Sequence, residues 1–457
     1  MVAQVTMRSA SFHGCQRGSC PEENPVDLAV LGGGISGLAS ARRLAQRGHR
    51  ITLYEAEDRL GGLGGTFSHE GIELEKFYHC LLPTDAALLA HVAELGLAER
   101  VVWSATAMGF RVRDEIYPLN TPLDLLRFSP LRWRDRLRLG LLAVQARLAG
   151  TRPALDDVTV AEFVRRTVGE RAFELLWKPL LAAKIGDHYP ALPALWLTTR
   201  LHREKNVSRE RKGCLRGGYR TLIDAFASDL AARGVQLHAK SAVDELVREA
   251  DGMSLRLADG RTAKHDAVLS TLPLPALLRV AGSGCLPPQL AELRLDYQGV
   301  VSGVFLTERP LTPYYWAPWV DCGTTSQGLI AMSNVVPLEQ TRGLHVHYLV
   351  NYTHRRSPLY ARPDAELLDA YQADLLRLHP EARGAIAGRY LFRAPFVEPM
   401  WTVGYARRKP AHVLVPGRLY LASTAQLYPR VNSWNACCEM VDEMAALVAA
   451  DLAGARP

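Results

Sequence analysis

The chain has 457 residues, too many for one ordinary core, and its 48% hydrophobic and 22% charged residues allow a large buried interior. A net charge of +7 spread over that length argues against a nucleic-acid partner and reads as arginines on a solvated surface. None of the eight cysteines forms a Cys-x-x-Cys pair, which argues against a zinc site or disulfide scaffold and fits a reducing compartment.

Residues 1–25 hold Ser, Gln, Glu and Pro without an apolar run, and are expected to form a disordered extension rather than a secretory signal. The chain has no run of about 18 apolar residues, so no membrane-spanning helix is expected and the cytoplasm is the default compartment.

The first ordered element is the apolar strand Asp27-Leu28-Ala29-Val30-Leu31, which runs into glycines. A helical pattern follows from Ser36 to Arg47, with Gly48 as its C-cap, and then a strand from Arg50 to Glu55. These lengths make a βαβ unit with parallel strands. From Thr84 to Lys212 helical periodicity dominates, clearest over Ala86–Leu97, Val160–Val168 and Ala172–Ala183. Strands are expected at Val235–His238, Ala242–Arg248, Ser254–Leu257 and Ala267–Ser270, with Asp259-Gly260 as a hairpin turn between the last two. Alternation marks further strands at Gly299–Leu306, Leu329–Val335 and His345–Tyr352, and a helix is expected over Asp364–Leu378. The chain closes with a strand at Leu419–Ala422 and a long apolar helix, Asn435–Leu452.

Gly32-Gly33-Gly34-Ile35-Ser36-Gly37 follows a strand, opens a helix, and is answered about 20 residues later by Glu55 at the end of the next strand. Each part has a physical task. Gly32 permits the tight turn, Gly34 lets a pyrophosphate approach the backbone, and Gly37 lets helix and strand pack closely. The helix start at Ile35 and Ser36 stabilises phosphate charge. Glu55 accepts hydrogen bonds from ribose hydroxyls and repels a 2′-phosphate, which disfavours NADP. The following run, Ala56 to Thr66, carries Arg59 and the glycines Gly61, Gly62, Gly64 and Gly65. A simple NAD domain has no need of them, whereas a longer cofactor bearing an isoalloxazine requires backbone to pass close beside it. FAD, held non-covalently, is therefore the expected cofactor.

On Gly32–Gly37, Glu55–Gly62, Arg216-Gly217-Gly218-Tyr219, Ala242-Val243, Ser270-Thr271-Leu272-Pro273 and the last strand and helix, the chain resembles the flavin-containing amine oxidase superfamily. That group includes protoporphyrinogen oxidases, phytoene-type desaturases and, more distantly, UDP-galactopyranose mutases. The resemblance implies an α/β fold: a discontinuous Rossmann-like FAD-binding domain, its parallel sheet flanked by helices, with an α+β substrate domain. The expected pieces are FAD-binding segments 26–83, 213–274 and 398–457, a helical cap at 84–212, and a substrate domain with an antiparallel sheet at 275–397. It also implies that Glu55 and Ala56 meet the adenosine ribose and Arg59 the nucleotide portion. Gly61, Gly62 and Thr66 border the flavin side, Val243 meets the adenine through its backbone, and Thr424 lies at the flavin. The sequence departs from the pattern at Leu63, where an arginine often stands, and at Ala422–Gln426, where Gly-Asp is usual.

Because FAD carries the redox chemistry, the catalytic candidates are groups that reach its ring. His79, in Phe77-Tyr78-His79, suits acid–base work. Lys178 and Lys184 stand in an apolar helical stretch, and Lys178 is taken as the catalytic candidate of the pair. Tyr428–Asn432 precedes the last helix, whose N-terminus is expected to face the flavin pyrimidine. His345, His347 and Asn351 share a strand face but lack a third ligand nearby, so no metal site is expected. Arg127, Arg132, Arg134, Arg136, Arg138 and Arg147 interleave with leucines over 119–148, which is either an ordinary helix or a peripheral membrane contact.

The expected activity is oxidation or desaturation of a small organic substrate at a C–N or C–C bond, with oxygen or a quinone as electron acceptor. A redox-neutral sugar-nucleotide mutase is the alternative, since Tyr117-Pro118-Leu119-Asn120 and Phe77-Tyr78-His79 resemble that group and the many arginines could hold a diphosphate. A flavin-bound scaffold without turnover is the third.

Overall fold

The computed structural model describes residues 25–203 and 211–454. The expected N-terminal extension, with Cys15 and Cys20, lies outside the described residues.

Five short parallel strands gather from distant parts of the chain into one sheet, in the order Leu419–Leu421, Ala267–Ser270, Asp27–Leu31, Arg50–Tyr54 and Gln236–His238. An antiparallel strand, Val413–Val415, closes the outer edge beside Leu419–Leu421. Leu28 faces Ala267 on one side and Ile51 on the other, and Leu28 to Leu31 are all buried. A strand covered on both faces needs apolar residues at every position, which is why these strands read as continuous runs. The helix Ile35–Ala45 packs between Gly218–Ala232 and the C-terminal helix Trp434–Gly454 on one face of the sheet.

The other face carries a small antiparallel sheet, Val243–Arg248, Met253–Leu257 and Thr262–His265. The Asp259-Gly260 turn joins Met253–Leu257 to Thr262–His265 rather than to Ala267–Ser270. The reason is burial. Ala267–Ser270 is buried at every residue and belongs in the parallel sheet, while Thr262–Lys264 stays partly or wholly exposed.

A second large sheet runs Ile386–Pro399, Tyr297–Thr307, His345–His354, Gly328–Ala331, Trp316–Val320, Gly109–Val112 and Glu115–Pro118. Its last two strands come from the stretch expected to be helical, as does Val101–Ala105, which pairs with Arg211–Leu215. They are only four or five residues long, too short to interrupt the helical periodicity around them. The helix Asp364–Leu378 covers one face of this sheet through Leu367, Tyr371 and Leu375. His347 and Asn351 are buried there and hydrogen-bonded, His347 to the Thr307 hydroxyl at 3.0 Å and Asn351 to the Thr325 carbonyl at 2.9 Å. Among the described residues of 84–212, the helices Trp133–Ala149, Val160–Val168, Lys178–Ile185 and Ala194–Arg203 pack as a cluster beside the sheets.

Candidate active site

A cavity of about 550 Å³ runs from the C-terminal edge of the parallel sheet to the face of the large antiparallel sheet. Its volume is that of an ordinary cofactor or ligand cleft.

At the parallel-sheet end the wall is mostly backbone. Gly32, at φ +102°, turns the chain out of the first strand, and its N–H donates to the Tyr54 carbonyl at 2.8 Å. The helix that follows begins at Ile35 with no side-chain cap and no acid in its first turn, so its N-terminal dipole is available to an anion. Beside it, a Cβ on Gly34 would meet nothing nearer than the Gly62 Cα at 4.0 Å. That opening, between a helix N-terminus and a glycine backbone, is the cradle a pyrophosphate requires. Glu55 is buried at the end of the second strand, where its carboxylate accepts from the Gly33 N–H at 2.6 Å and the Glu57 N–H at 2.9 Å. Two N–H donors on a single buried carboxylate hold it in one orientation.

The structure brings most of the expected cofactor residues together. Gly32, Gly34, Ile35 and Ser36 line the cavity from the first turn, and Glu55 and Ala56 from the next strand end. Gly61 and Gly62 line it from the glycine run, Val243 from the small sheet, and Thr424 from the segment after the last parallel strand. Gly37 acts from inside. A Cβ there would sit 1.8 Å from the Gly32 carbonyl oxygen, so only glycine lets the helix leave the turn.

Three residues stand elsewhere. Arg59 is exposed, with its guanidinium 3.7 Å from Glu73, and Thr66 donates to the same Glu73 at 2.7 Å. Lys178 lies on an exposed helix surface, ion-paired with Glu174 at 2.7 Å. The lysine that lines the cavity is Lys184. Six positions separate the two, more than one and a half helical turns, so they point in different directions.

The opposite end of the cavity is built from side chains. His79 packs between Tyr219 and Trp434, with ring centroids 5.1 and 5.4 Å away. Its Nδ1 lies 2.9 Å from the Phe77 carbonyl, which only accepts, so Nδ1 carries the proton and Nε2 is the basic nitrogen. Tyr78 and Tyr352 share a hydrogen bond of 2.6 Å between their hydroxyls. Burial pushes the Tyr352 hydroxyl up to about 12 and that of Tyr78 well above the ordinary tyrosine value, so both remain neutral phenols. Lys184 lies 4.2 Å over the Tyr352 ring and 3.3 Å from Glu398 Oε2. Glu398 is 2% exposed, and its second oxygen, Oε1, has no hydrogen-bond partner among the described residues. A buried carboxylate oxygen without a partner is costly unless a ligand supplies one.

Sequence reasoning missed Glu398 and Tyr352. The available signal was an acid inside the apolar run Phe396-Val397-Glu398-Pro399-Met400, a poor place for a carboxylate unless it is paired. Asn432, Ser433 and Trp434 also line the cavity, and they bring the start of the C-terminal helix to it as expected.

The residues fit FAD. The open backbone cradle at Gly34 and Gly62 suits a pyrophosphate, Glu55 stands where a ribose would lie, and the aromatic and glycine walls leave room for a flat ring.

Comparison with known proteins agrees. The sequence model described as flavin containing amine oxidoreductase matches residues 35–429. A coproporphyrinogen III oxidase from Propionibacterium freudenreichii subsp. freudenreichii is 26% identical over 465 residues, covering 85% of this chain and 84% of that protein. Among solved structures, cyclohexylamine oxidase from Brevibacterium oxydans IH-35A superposes with a TM-score of 0.75 at 16% identity, covering 94% of this chain and 100% of that one. A reduced UDP-galactopyranose mutase superposes with a TM-score of 0.71 at 17% identity, over 92% and 96% of the two chains, so the fold by itself does not separate oxidation from isomerisation.

Proposed function

The chain belongs to the flavin containing amine oxidoreductase family, and on that premise we propose that it oxidises a small organic substrate bearing an N–H beside the C–H bond to be broken. Amines and porphyrinogens both answer that description. The observation that carries this reading is the unpartnered Glu398 Oε1 in the cavity wall, next to the Lys184 and Tyr78–Tyr352 pairs.

A bound FAD would supply the two-electron redox chemistry, with oxygen or a quinone as the final acceptor. The protein's own groups bind and orient. Gly34, Ile35 and Ser36 would hold the pyrophosphate with backbone N–H groups, Glu55 would hold the ribose, and Val243 would meet the adenine. At the far end Glu398 accepts the substrate N–H, and Lys184 pairs with that carboxylate and fixes its orientation. Tyr78 and Tyr352 wall the site with neutral hydroxyls and exclude water. His79 Nε2 is placed to take the substrate proton as the C–H bond breaks. The pieces 26–83, 213–274 and 398–457 would carry the cofactor while also supplying Tyr78, His79 and Glu398 to the substrate end, which 84–212 and 275–397 complete with Lys184 and Tyr352.

The test is anaerobic bleaching of the FAD-loaded protein with a panel of primary and secondary amines and reduced porphyrinogens. Each two-electron oxidation should bleach one FAD, so one equivalent of an amine bleaches one and one equivalent of a porphyrinogen, which loses six electrons in becoming a porphyrin, bleaches up to three. Readmitted oxygen or a quinone should restore the colour with one two-electron acceptor consumed per FAD. Bleaching by none of the panel, together with isomerisation of a UDP-sugar by the pre-reduced protein without acceptor, would give the site to a mutase. Neither bleaching nor isomerisation would leave a flavin-bound scaffold.

A further inference from the structure

The helix Trp133–Ala149 has two apolar faces, and only one is used by the fold. Leu139, Leu142 and Ala146 are buried where the helix packs on Val160–Val168 and Ala194–Arg203. Trp133, Leu137, Leu141, Val144 and Leu148 point away from that core and are 48–73% exposed. At 100° per residue these five side chains fall within an arc of about 80°, a continuous outward stripe. Leu123 and Leu126, on the short helix Pro122–Arg127 just before, extend it. The other exposed large apolar residues among those described, Val247, Leu338, Val403 and Leu447, are scattered singly. Single exposed leucines are ordinary, but a stripe of seven is not.

The charges around the stripe are of one sign. Arg134 and Arg138 run along one edge of the helix, and Arg127 and Arg132 stand exposed toward its N-terminal end. The Arg134 guanidinium lies 5.4 Å from the Trp133 ring. The two acids of the stretch do not offset them. Asp124 caps the short helix by accepting from the Asn120 and Thr121 N–H groups, and Asp135 is buried. Arg136 ties the two helices together through the Leu131 and Leu126 carbonyls, so the stripe is presented as one surface. No helix among the described residues is long and apolar enough to cross a membrane.

We propose that this face docks on an anionic lipid surface, with the helix Trp133–Ala149 lying in the plane of the interface. The stripe enters the acyl boundary while the edge arginines meet lipid phosphates, and an exposed tryptophan sits at headgroup depth. Charge complementarity selects this occupant over a second copy of the chain. A two-fold contact through the same patch brings the same arginines together, with no uncommitted acid on either of its two helices to pair them. The proposal does not depend on the substrate.

The experiment is flotation of the full-length FAD-loaded protein with vesicles of phosphatidylcholine alone or with about 30% phosphatidylglycerol. Binding should favour the anionic vesicles by at least about tenfold and fall at high salt. Leu137→Glu with Leu141→Glu should weaken binding to both vesicle types by at least about tenfold. Arg134→Ala with Arg138→Ala should weaken it by about tenfold on anionic vesicles alone. Retained FAD absorbance and an unchanged unfolding temperature separate lost docking from misfolding, and Trp133→Ser is a milder substitution that should still reduce binding. The proposal is overturned if the wild-type protein stays with the unbound fraction on anionic vesicles at low salt, or if the folded leucine variants float as well as the wild type. It is equally overturned if the wild type is a dimer that the leucine substitutions dissociate, which assigns the face to a second copy.

Discussion

At the parallel-sheet end of the cavity, recognition is done by main chain, through the turn at Gly32, the uncapped helix start at Ile35 and the open approach between Gly34 and Gly62. At the antiparallel-sheet end the cavity is instead walled by side chains from four separate segments, namely Tyr78, Lys184, Tyr352 and Glu398, which are the groups proposed to meet the substrate. A backbone site depends on what residues must not have, which is a Cβ. A side-chain site depends on what residues must have, held in place by packing from elsewhere. The two ends should therefore fail differently when perturbed. Substitution at the first should cost cofactor and fold together, while substitution at the second should cost turnover and leave the cofactor in place.

The largest effect is expected at Gly37. Because a Cβ would lie 1.8 Å from the Gly32 carbonyl, Gly37→Val must displace the helix from the turn, at a cost of about 3 kcal/mol or more. The purified variant should lack FAD and unfold at a lower temperature, and a yellow, equally stable variant would show that the turn tolerates a side chain.

Next is Glu398→Ala, which removes the partner of Lys184 in a nearly buried pair. The rate of anaerobic bleaching should fall at least about thirtyfold, equivalent to about 2 kcal/mol, with FAD content unchanged. If FAD is lost instead, Glu398 belongs to the cofactor's end and the contrast between the two ends collapses. Glu55→Gln sharpens the same contrast from the other side. It keeps the shape of the carboxylate that accepts from Gly33 and Glu57 but removes its charge, so FAD affinity should drop about tenfold, as read by titration of the apoprotein. The rate of bleaching at saturating FAD should stay the same.

Acid sensitivity should appear in both halves at once. Burial, helped by the neighbouring Arg43, lowers His91 to about 4, and burial lowers His347 to about 3. Both lie below the ordinary histidine value, so as pH falls through about 6.5 the unfolded chain takes up protons that the folded chain does not, and stability falls with it. Each should contribute a loss of about 1 kcal/mol by pH 5.5. His91 lies in the helix Ala86–Glu94 packed on the C-terminal helix, and His347 in the antiparallel sheet. Replacing either by Gln should flatten the dependence of unfolding temperature on pH between 7 and about 5. An unaltered slope in both variants would place the acid sensitivity elsewhere.

The smallest effect is expected at Lys178, which pairs with the exposed carboxylate of Glu174 one turn earlier. Lys178→Ala should leave bleaching within about twofold of wild type, whereas Lys184→Met should slow it. The reverse result would restore the lysine favoured by sequence reading.

Legibility in the sequence follows the same division. The strands Asp27–Leu31 and Arg50–Tyr54, the helix between them and the acid Glu55 were readable because local spacing alone specifies a βαβ turn that no side chain may fill. The long helices Asp364–Leu378 and Trp434–Gly454 were readable for a related reason, since one apolar face repeating over many turns leaves little ambiguity. The four-residue strands Gly109–Val112 and Glu115–Pro118 were not, because they are shorter than the period that would reveal them. The destination of Ala267–Ser270 was misplaced because a turn signal states where a chain reverses, not which sheet receives the next strand.

By itself, then, the sequence determined the nucleotide-binding turn, its acid, the expected FAD and the order of the principal elements, all of which are local and depend on residues within a few turns of one another. Only the tertiary structure decided that Lys184 rather than Lys178 faces the cavity, that Glu398 stands there with one oxygen unpaired, and that the arginine-rich helix turns a second apolar stripe outward. Those facts depend on which face of each element the rest of the fold buries. A face is a property of three-dimensional packing, and one helical repeat serves an inward or an outward stripe equally well.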